Sequence, residues 1–112
     1  MNFIIGQDRS PLANRIVTIS LDKTCQVFNT DTGERIATIE FGSYCRSLAV
    51  DRNEAVIVIG TDDKKVTFID TTTFQIVKQV TLGGSIYSLA FNQENELLLA
   101  VSQKGQVYSF KF

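Results

Sequence analysis

The chain has no histidine, so the commonest metal ligand and the commonest general base are both missing. Its two cysteines, Cys25 and Cys45, are too few for a disulfide framework and lack the CxxC spacing of a zinc or redox site, so two buried free thiols are expected. Neither charge sign prevails. Eleven Lys and Arg stand against twelve Asp and Glu, a net charge of −1, which leaves no electrostatic footprint of a nucleic-acid or anionic-lipid binder. No apolar run approaches the roughly 18 residues that a membrane-spanning helix needs. The opening residues have no basic start, no signal-length apolar stretch and no small-residue cleavage site. A soluble intracellular protein, nuclear or cytoplasmic, is expected.

The motifs of catalysis are missing too. There is no GxSxG, no P-loop, no GxGxxG after a strand and no HExxH. Asp62 and Asp63, with Asp70 nearby, make the densest acidic cluster, but Lys64 and Lys65 follow them at once, so the group reads as a solvated turn. Thr71 to Thr73 read as turn sequence whose hydroxyls bond local backbone. Gly83-Gly84 leads into a strand and not into a helix N-terminus, so it lacks the dipole that a phosphate cradle uses. It reads as a crossing between structural units where Gly relieves backbone constraint. No enzyme, cofactor or metal site is expected.

What the chain does have is an internal repeat. SLAVDRNEAVIVIGTDDKKVTFID from Ser47 lies without a gap over SLAFNQENELLLAVSQKGQVYSFK from Ser88, an offset of 41 residues. Gly42/Gly83, Ser47/Ser88, Leu48/Leu89, Ala49/Ala90 and Val66/Val107 are identical, and Val50/Phe91, Val56/Leu97, Ile57/Leu98, Val58/Leu99 and Ile69/Phe110 stay apolar. One further step back puts Ser20 under Thr61, Asp22 under Asp63 and Phe28 under Ile69. A period of roughly 40 to 45 residues with four strands per unit is the mark of a β-propeller blade.

The middle unit shows the four strands in full: Cys45 to Val50, Val56 to Gly60, Val66 to Asp70 and Ile76 to Thr81. Each is rich in β-branched or aromatic residues, and DRNE, TDDKK and TTTFQ between them are polar turn material. VIVIG is continuously apolar, as a strand buried on both faces should be, whereas IVKQVT alternates like a half-solvated outer strand. The first unit is read as Asn2 to Ile5, Arg15 to Ser20, Cys25 to Asn29 and Ile36 to Glu40, with the proline-containing GQDRSPLAN as a long joint. The last unit has three runs, IYSLAF, LLLAVS and VYSFKF. The expected fold is therefore all-β: one propeller segment of blades at 1–41, 42–82 and 83–112, two with four antiparallel strands and one with three, forming an incomplete ring.

In the last unit Gly83, IYSLAF, the NQEN turn, LLLAVS, the QKG turn and VYSFK occupy in order the places of a WD40 repeat, and the chain from about Arg15 onward resembles that family. Its usual Trp position holds Phe28, Ile69 and Phe110, and its Asp position holds Asn29, Asp70 and Lys111. The family's buried His, Ser, Trp and Asp network therefore cannot form. Apolar packing and ladder hydrogen bonds, helped by Asp22 and Asp63 at the turns, are expected to hold the sheets instead. SPLANRIVTISLDKTCQVFNTDTGERIATIEF is also similar to a blade of the WD-repeat subunits of the complex that remodels late pre-60S ribosomes, whose chains are much longer. The resemblance implies a non-catalytic scaffold for other proteins, in ribosome biogenesis or another nuclear assembly. A ligand-binding or enzymatic propeller of another family is the alternative. The Phe-Arg-Arg-Gly signature of phosphoinositide-binding propellers is missing, and direct nucleic-acid contact is not expected without a basic stripe.

Such scaffolds bind on the face made by the blade crossings and the second-to-third strand turns, here GSYCR, GGSIY, SLDKT, TDDKK and SQKGQ. Tyr44, Arg46 and Tyr87 are the expected anchors, since Tyr and Arg dominate interface hot spots, with Lys23, Asp62, Lys64, Lys65 and Lys104 as a charged rim. A second expected site is the last strand, Val107, Tyr108, Ser109 and Phe110, whose free backbone edge invites strand addition. Further sequence, a second copy or a partner chain is expected to complete the ring, because stacked repeats cannot bury their own end faces.

Overall fold

A computed structural model of the chain describes residues 2–5, 15–20, 23–50, 55–92 and 97–111, without the side chains of 2–5 and 20. GQDRSPLAN, Asp22, all of DRNE and most of NQEN lie outside the described residues, as does Phe112. Eleven strands follow one another: β1 (Asn2–Ile5), β2 (Arg15–Ser20), β3 (Thr24–Asn29), β4 (Arg35–Glu40), β5 (Cys45–Val50), β6 (Val56–Thr61), β7 (Lys65–Asp70), β8 (Ile76–Thr81), β9 (Ile86–Phe91), β10 (Leu97–Ser102) and β11 (Val107–Lys111). They form three antiparallel meanders, β1 to β4, β5 to β8 and β9 to β11, with each strand bonded to the next in sequence. This is the all-β arrangement of two four-stranded units and a three-stranded one that the repeat predicts, with strand ends displaced by at most one residue.

The turns repeat with the same offset. Between the third and fourth strands, Asn29 Oδ1 accepts the amides of Asp31 and Thr32, and Asp70 Oδ1 accepts those of Thr72 and Thr73. Thr73 Oγ1 accepts the Gln75 amide in turn, so the threonine run is indeed local turn chemistry. Between the second and third strands, Lys23, Lys64 and Gly105 hold φ of 70°, 74° and 79°, three successive steps of the repeat in the left-handed region. A Cβ at Gly105 would meet nothing within 4 Å, so only backbone conformation distinguishes glycine from alanine there. Gly105→Ala is accordingly expected to lower stability by about 1–2 kcal/mol in urea titration, whereas Lys64→Gly at the equivalent position should not.

The sheets stack face to face and enclose two cores. Val17, Ile19, Cys25, Val27 and Ile39 of the first sheet meet Cys45, Leu48, Ile57, Ile59 and Ile69 of the second. On the other side Val58, Val66 and Phe68 of the second sheet meet Ile86, Leu89, Leu98 and Ala100 of the third. Strict alternation along β6 sends Ile57 and Ile59 one way and Val58 the other, which is why its sequence is apolar throughout. Phe68 and Phe110 cross the second gap edge to face, 6.2 Å apart at 78°.

Two expectations need correction. IVKQVT, now β8, is exposed at five of its six positions and is not half-solvated. A bulge makes Val77 the extra residue between the Lys78/Phe68 and Ile76/Ile69 pairs and turns it to solvent. Gly83-Gly84 does mark a crossing, but neither glycine has positive φ. Close approach is the reason for glycine at position 83, where a Cβ would lie 2.6 Å from Tyr108 Oη, whereas one on Gly84 would sit at an ordinary contact distance of 3.4 Å from Ser102 Cβ.

Candidate functional site

Every crossing is tied by main-chain hydrogen bonds to a turn between second and third strands. The Asp62 amide donates to the Tyr44 carbonyl at 2.9 Å, and one repeat later the Gln103 amide donates to the Ser85 carbonyl at 2.8 Å. On the other side of each crossing the Phe41 amide reaches the Lys23 carbonyl, and the Leu82 amide reaches the Lys64 carbonyl. Four backbone bonds thus gather two crossings and three turns at one end of the sheets. The expected anchors stand on this platform.

Arg46 and Tyr87 reach it by the same device. In the pairing of β5 with β6, Cys45 faces Thr61 and Ser47 faces Gly60, so Arg46 is an extra residue. In the pairing of β9 with β10, Ser102 faces Ile86 and Val101 faces Ser88, so Tyr87 is the extra residue 41 positions on. A bulge re-aims the side chain that it carries, and here the two re-aimed side chains meet. The Arg46 guanidinium carbon lies 5.7 Å from the centre of the Tyr87 ring, within cation–π range. Its Nε donates to Asp62 Oδ1 at 3.2 Å. The Ser85 hydroxyl, from the next crossing, has Asp62 Oδ1 at 2.8 Å and the Asp62 carbonyl at 2.9 Å as acceptors. The Ser85 hydrogen bond, and after it the bond from Arg46, holds the Asp62 carboxyl below the ordinary carboxylate range against the opposing effect of its partial burial. At the other end Lys23 Nζ stands 5.5 Å from the centre of the Tyr44 ring.

The structure therefore brings Tyr44, Arg46, Tyr87, Lys23 and Asp62 into one linked series across all three sheets. Tyr44 and Tyr87 remain 42% and 49% exposed and do not pack between the sheets. Lys64 and Lys104 are exposed on their turns, while Lys65 opens β7 and pairs with Asp63 at 3.9 Å. Asp63 also accepts a short hydrogen bond from Thr61 Oγ1, the help at the turn that its position suggests. Asp62 is more than rim, since it joins the second sheet to the third. Ser85 is the residue that sequence reasoning missed: its repeat equivalent is Tyr44, so the alignment carries no signal for it.

Tyr108 and Phe110 of β11 point inward. The Tyr108 hydroxyl accepts the Gly83 amide at 3.1 Å and donates to Gln106 Oε1 at 2.8 Å, and Phe110 packs against Phe68. Val107 and Ser109 point outward, and β11 is the terminal strand of its sheet. A recess of about 440 Å³ opens beside that edge, lined by Val56, Phe68, Val77, Lys78, Ser109, Phe110 and Lys111.

Burial pushes the Cys25 thiol up to about 12, with the neighbouring Cys45 adding to the shift, so it is not a thiolate nucleophile at neutral pH. Among the described residues no three His, Cys, Asp or Glu side chains gather as a metal site, and no helix is long and apolar enough to cross a membrane. No protein-family model and no curated protein matches the chain.

Proposed function

We propose that the chain is a segment of a WD40-like β-propeller that serves as a non-enzymatic scaffold and docks other proteins on the crossing-and-turn face. The observation that carries this reading is the Tyr44, Arg46, Tyr87 series: large side chains, exposed, and held in place by ring and ion-pair contacts on backbone-tied loops. Tyr and Arg are the residue types that anchor interfaces, and anchors already in position lose little freedom on binding. The segments of this face carry five basic residues, Lys23, Arg46, Lys64, Lys65 and Lys104, against three acidic ones, Asp22, Asp62 and Asp63, so the face suits an acidic protein segment. Resemblance to the WD-repeat subunits of the pre-60S remodelling complex makes a ribosome-assembly particle in the nucleus the setting to test first. The free edge of β11 is the second docking element under this reading, by addition of a strand.

The test is capture of partner proteins by the tagged chain and by the variant Tyr44→Ala/Arg46→Ala/Tyr87→Ala. Removal of three anchors is expected to weaken capture by at least about 30-fold, the effect of one hot spot of 2 kcal/mol, with an unchanged β circular dichroism spectrum. Capture that survives with the fold intact would mean that partners use another face. Turnover of a small substrate by the pure chain would overturn the scaffold reading.

A further inference from the structure

The stacking of the sheets is directional, and the repeat shows what its next step requires. In each internal gap one face of the earlier sheet receives the opposite face of the later one. The receiving face of the first sheet is Val17, Ile19, Cys25 and Val27, and that of the second is Val58, Val66 and Phe68, all buried. The same positions in the third sheet are Leu99, Val101, Val107 and Ser109. There the face is open: Leu99 is 37% exposed and Val107 64%, where Val58 and Val66 are both 0%. Register keeps the patch continuous, since Val101 faces Val107, and Leu99 faces Ser109 on one side and the exposed Ala90 on the other.

The complementary half of this contact is on the same chain. The second sheet enters its gap through Ile57 paired with Ile69 and Ile59 paired with Thr67, all at most 1% exposed. Their equivalents in the first sheet are Ile16 paired with Phe28 and Thr18 paired with Gln26. Alternation points these four away from the second sheet, because Val17, Ile19, Cys25 and Val27 point toward it. On this outward side Thr18 is buried at 4% exposure, while Ile16, Phe28 and Gln26 are only half-buried. One end of the stack thus presents a receiving face and the other an entering face.

We propose that a second copy of this chain docks the outward face of its first sheet, Ile16 with Phe28 and Gln26, onto the open face of the third sheet, Leu99 with Val101 and Val107. The contact is head to tail: the third sheet of one copy receives the first sheet of the next, as each sheet within the chain receives its successor. Two copies bring together six sheets, inside the span of about 4 to 8 within which propellers close. The inference rests on the sheet repeat and not on the crossing-and-turn face, so either can fail without the other.

Sedimentation velocity of the 112-residue chain from low to high micromolar concentration tests it. A species of twice the 12.5 kDa chain mass is expected. Leu99→Arg on one face and Gln26→Arg on the other, both on accessible side chains, should each raise the dissociation midpoint at least tenfold. An equimolar mixture of the two variants should associate again, because it retains one intact contact. Val107→Glu replaces Leu99→Arg if the β spectrum of that variant is lost. A wild-type chain that stays monomeric overturns the proposal, and so does a dimer indifferent to these substitutions. A dimer broken by Leu99→Arg but not by Gln26→Arg pairs third sheet with third sheet, and that result overturns it as well.

Discussion

Gly60→Ala is expected to destabilise the chain by about 2–3 kcal/mol, although removing glycine from a strand ordinarily gains up to about 1 kcal/mol. Gly60 lies in β6 opposite Ser47, and across the gap stands Ile86, the first residue of β9. A Cβ on Gly60 would sit 2.6 Å from Ile86 Cγ2 and 2.7 Å from Ile86 Cβ, and it would collide with Ser47 Oγ as well. None of these neighbours can withdraw. Ile86 is fully buried, and its carbonyl accepts the Ser47 hydroxyl at 2.9 Å, a buried bond that fixes the spacing of the second and third sheets. The sign of the effect is therefore set by overlap and not by backbone entropy. Chemical denaturation of Gly60→Ala, Ile86→Ala and the double variant checks the cause. Trimming Ile86 to alanine removes the Cγ2 overlap and leaves the Cβ and Ser47 overlaps in place, so the double variant should cost less than the two single effects added while staying less stable than Ile86→Ala alone. Strict additivity would show that the two residues are not in contact.

Ile57→Ala should be the largest cavity effect, about 2–5 kcal/mol. Ile57 is 1% exposed and faces Ile69, which is fully buried, across the β6–β7 ladder, where both fill the gap toward the first sheet. The same substitution at Ile76, 44% exposed at the start of β8, should cost no more than about 0.5 kcal/mol. One residue type, one sheet and two outcomes isolate burial as the cause. Equal losses at the two sites, read from urea midpoints with unchanged m-values, would contradict the stacking of the first two sheets.

Most of the architecture was legible because strand pairing here is local and periodic. A meander bonds each strand to its neighbour in sequence, so finding the offset of 41 residues and the polar joints was enough to place all eleven strands to within one residue. The crossing-and-turn face followed from the same map, and Tyr44, Arg46, Tyr87, Lys23 and Asp62 do converge there. Their mutual arrangement could not be read in the same way. Bulges at Arg46 and Tyr87 depend on where a ladder slips by one residue, which the alternation of apolar residues in IYSLAF does not record. The exposure of β8 was hidden for the same reason: IVKQVT alternates as a half-buried strand would, yet the slip at Val77 and the rim position leave it in solvent.

What the sequence by itself determined is the repeat, the strands within it and the turn residues that end them, because these rest on contacts between residues close along the chain. The tertiary structure alone decided which glycine is steric and which conformational, that Ser47 and Ser85 bridge one sheet to the next, and which apolar face is covered. Val58 and Leu99 occupy the same place in the repeat and carry equally apolar side chains, yet one is sealed and the other open. The difference lies in the sheet that stacks on Val58, a packing partner some forty residues away that no local pattern at position 58 encodes.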